Sequence, residues 1–476
     1  MRTFVRRRAS DTVFFLLLII ALGAFAMVIH IHPQHTSRVN HFIYQAQAWL
    51  QGRLDISRQL QDVVVVNGKY YLVFPPLPAL LMVPFVAVLG NRFSDIWFTW
   101  IFAALNMLLL YRTLEVMRHR QIISRTPLEN GIITLTFGFG TIALWLCLGG
   151  RVWFTAQTIS TFGIMITLHA TLSRRWWLAT LGVGIVALTR TSEVLIGVIP
   201  LVVSLRNLGI GRRMQNRRVL LPGRWPSLRE LTGILMPLAI AFLLLLIRNK
   251  LYFGSFLSLG YDIQQKQFYP KVQYGLFSWH YIWPNIVIDF LRWPGFSFTG
   301  VFDVNPRPDL IMDAMGTSIF FSTPLLAIFL FTQQGKTAQP WLRSTLWITL
   351  AILLLPILLY SYEGWNQVGA RYLFPLYPPL FLLLAQREAS LDARWIGLAG
   401  LSVFINSLLA RVFWMHALST TFVLGSAGAA LLGCVTALIL LRREKRKQQI
   451  SLPISADVSL YENKNEMPDS GSRVQV

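Results

Sequence analysis

The chain has 476 residues, of which 54% are hydrophobic and only 13% charged. Soluble domains carry roughly 25% charged residues, so a surface facing water on all sides is excluded. The formal net charge of +22 does not mark a nucleic-acid binder, because Lys and Arg collect in runs that flank apolar segments and have no stacking aromatics between them.

In chain order, MRTFVRRR leads into the apolar run 13–31, which is longer than a signal-peptide core and lacks a small-residue cleavage site. It reads as a retained signal-anchor, with residues 1–12 in the cytoplasm. Apolar segments follow at 76–90, 97–114, 130–149, 152–172, 176–206, 231–249, 317–334, 343–361, 370–387, 394–412 and 418–441. Taking these as crossings of roughly 20 residues predicts an all-α polytopic membrane protein with about 12 transmembrane helices. The basic runs at 206–218 and 442–447 place those stretches and both termini in the cytoplasm. Within a membrane domain spanning 13–442, residues 32–75 and 250–315 are then large external loops, and 443–476 is a polar, disordered cytoplasmic tail. The expected location is a bacterial plasma membrane. This register leaves RHRQIISR (118–125) outside, against the positive-inside rule. A second register makes 76–90 interfacial and splits 176–206 into two short crossings around Thr189-Arg190-Thr191.

The loops carry structure of their own. Residues 38–52 put Phe42, Ala46, Trp49 and Leu50 on one helical face, which predicts a helix lying at the membrane surface. DVVVVNGKYYLVF (62–74) sets an Asn-Gly turn between two β-branched or aromatic runs, a hairpin signal. Tyr269, Tyr274, Trp279, Tyr281, Trp283 and Trp293 give 268–298 the content of an interfacial aromatic belt.

Candidate chemistry follows from which polar groups the loops expose. The acids are Asp55 and Asp62 in the first loop, Asp262, Asp289, Asp303, Asp309 and Asp313 in the second, and Glu363 between the late crossings. A carboxylate beside low-dielectric surface is costly unless paired or used. The external cations are Lys69, Arg151, Arg292, Arg307 and Arg371. Arg371, beside Tyr372 at the start of a crossing, has the geometry to clamp a phosphate or to snorkel at the interface. Arg190 and Glu193 are expected to pair within an apolar stretch. His30, His32, His35 and His41 cluster, but HxH without a nearby carboxylate is a weak metal signal. Cys147 and Cys434 lie inside apolar spans and form no CxxC or zinc spacing.

Three stretches together resemble a family: Y-x-A-x-A-x-L-x-x-G from Tyr44, then YYLVFPPLPALLMVPFVAVLG, and later GARYLFPLYPPLFLLLA. They are similar to the C-type (GT-C) fold of polytopic glycosyltransferases, in the protein mannosyltransferase and RgtA/B/C/D-like branch. The resemblance covers mainly residues 10–210 and the late G-x-R-Y-x-x-P segment. It implies an inverting transfer of a sugar from a polyprenyl-phosphate carrier to a glycan, lipid or protein acceptor outside the cytoplasm. It also implies an aspartate base in the first external loop. The family's position for that aspartate, about four residues before the loop tyrosine, is Asn40 here, followed by His41.

The expected base is therefore Asp55, Asp62 or His41, with Lys69, Tyr70, Tyr71, Glu363, Arg371 and Tyr372 toward substrate and phosphate. The sequence assigns no cofactor and leaves a dependence on divalent metal open. A GT-C-like protein that binds a lipid-linked substrate without turning it over is the alternative. A transporter ranks below both, because no matched pair of Gly/Pro-interrupted helices appears.

Overall fold

The computed structural model describes residues 2–207, 227–268, 273–299, 307–311, 314–333, 335, 339–361, 364, 366–387 and 391–450. Six helices are long and apolar enough to cross a membrane, starting at Ala9–Val28, Asp95–His119, Leu228–Phe253, Pro340–Leu359, Ala393–Met415 and Thr420–Lys447. Their interiors are runs of Leu, Ile, Phe, Val and Ala, which lose little by facing lipid. Shorter helices fill the space between them, notably Pro127–Phe139, Val152–Leu172, Trp176–Ala187 and Tyr377–Ala385. The main buried core includes Trp145, Phe137, Phe154, Tyr377 and Phe381.

Several expected crossings are not single helices. The segment 130–149 is interrupted at Gly140, and 317–334 is divided into three short helical pieces at Thr323-Pro324 and after Ala327. The segment 176–206 breaks after Ala187 into a 3-10 turn, Thr191–Gly197, and a further helix, Val198–Asn207. The helix within 76–90, Leu77–Leu89, has 13 residues, about 20 Å at 1.5 Å per residue.

Contacts show which ends of these segments lie together. Asp11 pairs with Arg112, whereas Ser37 bonds Asp95 at the other end of that same helix. Residues 29–94 therefore leave and return at one end of the assembly. At the opposite end the basic stretch 118–125 meets the late loop and the C-terminal helix. Arg125 donates to the carbonyls of Ala385 at 3.3 Å and Arg387 at 3.0 Å. Thr126 donates to Glu444 at 2.8 Å, and the Leu391 amide to Glu129 at 2.9 Å. The expectation that 118–125 faces away from 386–394 and 442–447 is thus corrected. The reason is that residues 29–94, Leu77–Leu89 among them, leave and return at one end of the assembly. The expected tail also begins later, since helix Thr420–Ile450 continues through RREKRK, a run of good helix formers; residues 451–476 lie outside the described part.

The 29–94 segment builds a second core. Helix His41–Leu50 buries Phe42, Ile43, Ala46 and Ala48 against helix Leu77–Leu89 and the start of Val152–Leu172. Leu50, on the apolar face expected to lie at the membrane surface, is 46% exposed. The hairpin forms where the Asn-Gly signal put it. Val63–Val66 pairs antiparallel with Lys69–Leu72, and Asn67 and Gly68 both take positive φ (50° and 76°), as a type I′ turn requires.

Candidate functional site

Asp62 immediately precedes the first hairpin strand, at a φ of 61° that is uncommon for a residue with a side chain. Its backbone is fixed from both sides. Val63 pairs with Leu72, and the His41 ring holds the preceding carbonyl, Nε2 to Gln61 O, at 2.6 Å. A carbonyl only accepts, so His41 carries its proton on Nε2. Burial pushes the imidazole below its ordinary value, which leaves the ring neutral at pH 7 with a buried, unbonded Nδ1.

Two donors grip the Asp62 carboxylate. Trp153 Nε1 gives its hydrogen to one oxygen at 2.7 Å, and Gln264 Nε2 to the other at 2.6 Å. Gln264 lies on helix Tyr261–Phe268, three residues before Gln267 and so on the same face. Gln267 docks on the hairpin edge, accepting from the Val65 amide at 3.0 Å and donating to the Val65 carbonyl at 2.8 Å. Burial raises the Asp62 pKa. The bonds from Trp153 and Gln264 and the positive charge of Arg371 oppose that rise without cancelling it.

Arg371 opens the 3-10 turn Arg371–Leu376. Its backbone is held by the Ala370 amide on Thr317 O at 3.1 Å and by Gln157 Nε2 on its own carbonyl at 2.9 Å. The chain passes Gly316 so closely that a Cβ there would stand 2.9 Å from the Gly369 nitrogen, and Gly316 has a φ of 79° that favours glycine. The buried guanidinium lies against the rings of Trp153, Phe154 and Tyr372, at 5.7, 5.7 and 5.3 Å, and gives its Nε hydrogen to Gln367 at 3.1 Å. Arg190, in extended backbone between two helices, lies 5.4 Å over the same Tyr372 ring. It pairs with Glu193, which also accepts from Ser160 Oγ at 2.5 Å. That pair is neutral in sum, whereas Arg371 has no carboxylate within ion-pair distance among the described residues. Tyr261 completes this side: burial pushes its hydroxyl up to about 12, with Arg190, Arg248 and Asp62 as its charged neighbours.

Of the other candidates, Asp55 lies 3.7 Å from Arg53, and Tyr71 packs against Tyr252 at 5.1 Å. Tyr70 faces Val65 across the hairpin. Lys69 is exposed at the turn end, opposite Val66; four residue steps along the strand separate Val66 from Asp62, roughly 13 Å. Asp262 is exposed and accepts from Ser258 at 2.9 Å. Asp289 is buried in the turn Val287–Leu291, and Arg292 is half-buried just after it. Asp303, Asp313 and Glu363, and the side chains of Arg307 and Asp309, lie outside the described residues. Among the described residues no three His, Cys, Asp or Glu side chains gather as a metal-binding group. No protein-family model and no curated protein matches the chain.

Sequence reasoning missed Trp153, Gln264 and Gln367, which reach the site from three distant segments. Only Gln264 carried a local signal, the Gln-x-x-Gln spacing with Gln267.

Proposed function

We propose that the protein is a GT-C-like membrane glycosyltransferase that moves a sugar from a polyprenyl-phosphate donor to an acceptor hydroxyl, with Asp62 as the base. The carrying observation is the pairing of one half-buried, doubly held carboxylate with a buried arginine that has no carboxylate partner of its own among the described residues. Asp62 takes the acceptor hydroxyl proton as the acceptor oxygen bonds to the anomeric carbon. The bond from that carbon to the phosphate oxygen breaks, and its electron pair leaves with the lipid phosphate. Arg371, already desolvated and fixed by Gln367 and three rings, stabilises the charge that gathers there. His41 acts through Asp62 as a positioning residue, since its single hydrogen bond goes to the carbonyl before it.

The contacts that join chain ends support a twelve-passage reading. In it, 76–90 stays at the Asp62 end, 176–206 passes twice, and all the basic runs share the opposite side, as the positive-inside rule asks. Both termini then lie on that basic, cytoplasmic side, and the site opens outside. The test is sugar transfer in membranes supplied with polyprenyl-phosphate sugar: Asp62→Asn abolishes it at unchanged protein level, whereas Asp55→Asn leaves it intact. Full activity in Asp62→Asn refutes the assignment. A protein that retains a polyprenyl-phosphate lipid but never turns it over supports the non-catalytic alternative.

A further inference from the structure

Arg151 has no part in the transfer scheme, yet its backbone is held in a conformation rare for a residue with a side chain. It precedes helix Val152–Leu172 at a φ of 70°, a conformation an arginine adopts only when its surroundings impose it. The imposition is visible. Asp95 accepts from the Ser37 amide at 2.8 Å and from its hydroxyl at 2.5 Å. Gly150 packs so tightly on Asp95 that a Cβ would stand 2.9 Å from its carboxylate. The Val152 amide then bonds Val39 O at 2.8 Å, which brings Arg38 alongside.

The guanidinium that this staple aims lies over three rings, Trp414 at 4.7 Å, Phe413 at 5.1 Å and Phe154 at 5.8 Å. The charges that act on it are both positive, Arg38 and Arg371. Among the described residues no carboxylate lies within ion-pair distance of Arg38 or Arg151, because Asp95 spends its oxygens on Ser37 and the backbone. Phe154 separates the two guanidiniums of Arg151 and Arg371, each less than 6 Å from its centre. A half-buried guanidinium that faces rings in place of anions, with the exposed Arg38 beside its helix start, calls for an anion from outside the chain.

We propose that Arg38 and Arg151 form a second anion subsite, distinct from Arg371, that holds an anionic group (phosphate or carboxylate) on the acceptor. This rests on the transferase reading for the word acceptor; the subsite itself rests on the arginines alone.

Methyl phosphate serves as the probe, titrated by calorimetry into the full chain in phosphatidylcholine nanodiscs. Two equivalents are expected per chain. Arg151→Gln weakens one of them about tenfold or more and Arg371→Gln weakens the other, as loss of a charge-assisted hydrogen bond would. Arg151→Lys retains most of the first, and the melting temperature without probe shows that each variant is folded. Binding of a single equivalent that both variants abolish overturns the proposal, as does unchanged binding in Arg151→Gln. A site that fills only when phosphatidic acid is added to the nanodisc assigns the anion to a membrane headgroup and overturns the acceptor assignment. Two phosphate equivalents in a protein that transfers no sugar sink the transferase reading and leave the subsite standing.

Discussion

At the scale of single residues, the site depends on one carboxylate whose protonation its neighbours set. Burial raises the Asp62 pKa above the ordinary value of about 3.9. On the proposed reading the base must be ionised to act, so transfer is expected to fall on the acid side around a pH above that value, where a solvated aspartate would still be fully charged. The hydrogen bond from Trp153 favours the ionised form. Trp153→Phe therefore moves the acid limb of the pH–rate profile further up, while Asp62→Asn loses roughly two to four orders of magnitude in rate at every pH. A limb that stays put in Trp153→Phe would show that another group titrates there. Asp62 was among the candidates the sequence offered, but nothing local ranked it above Asp55 or His41. What distinguishes it is the company of Trp153, Gln264 and Arg371, which are 91, 202 and 309 positions away in the chain.

At the scale of elements, the first loop is a small structure held by a few backbone staples. The hairpin was legible because a type I′ turn needs two positive φ values, which Asn and Gly supply at low cost. Helix His41–Leu50 was legible from its apolar face, which buries Phe42 and Ala46. The Asp95 staple was not legible, because Ser37, Asp95 and Gly150 lie in three segments with no shared pattern. It makes a sharp prediction. Gly150→Ala sets a methyl against Asp95 at a φ of 64° and should destabilise the protein by about 1–3 kcal/mol. In a thermal melt in detergent the variant unfolds earlier than Gly131→Ala, where a Cβ meets nothing within 4 Å. Equal melting temperatures would remove the staple from the argument.

At the scale of the whole molecule, the placement of chain ends predicts which loops share a side. With Cys147 and Cys434 replaced, Ser124→Cys and Lys447→Cys should react with an impermeant maleimide from the same side of sealed vesicles, and Ser57→Cys from the other. These three positions are exposed. Labelling of Ser124→Cys together with Ser57→Cys would overturn the twelve-passage reading.

The sequence by itself determined that the chain is built from apolar helices, where its basic runs lie, and that a hairpin follows residue 62. These are properties of composition, period and turn chemistry, which act within about 20 residues of chain. Only the tertiary structure decided that Leu77–Leu89 turns back, that 176–206 divides at Arg190, and that 118–125 lies beside the C-terminal helix. It alone brought Asp62 under Trp153 and Arg371. A run of apolar residues reports its length but not its path. A buried charge reports its cost but not its partner, since the partner is chosen by packing between segments that the sequence keeps far apart.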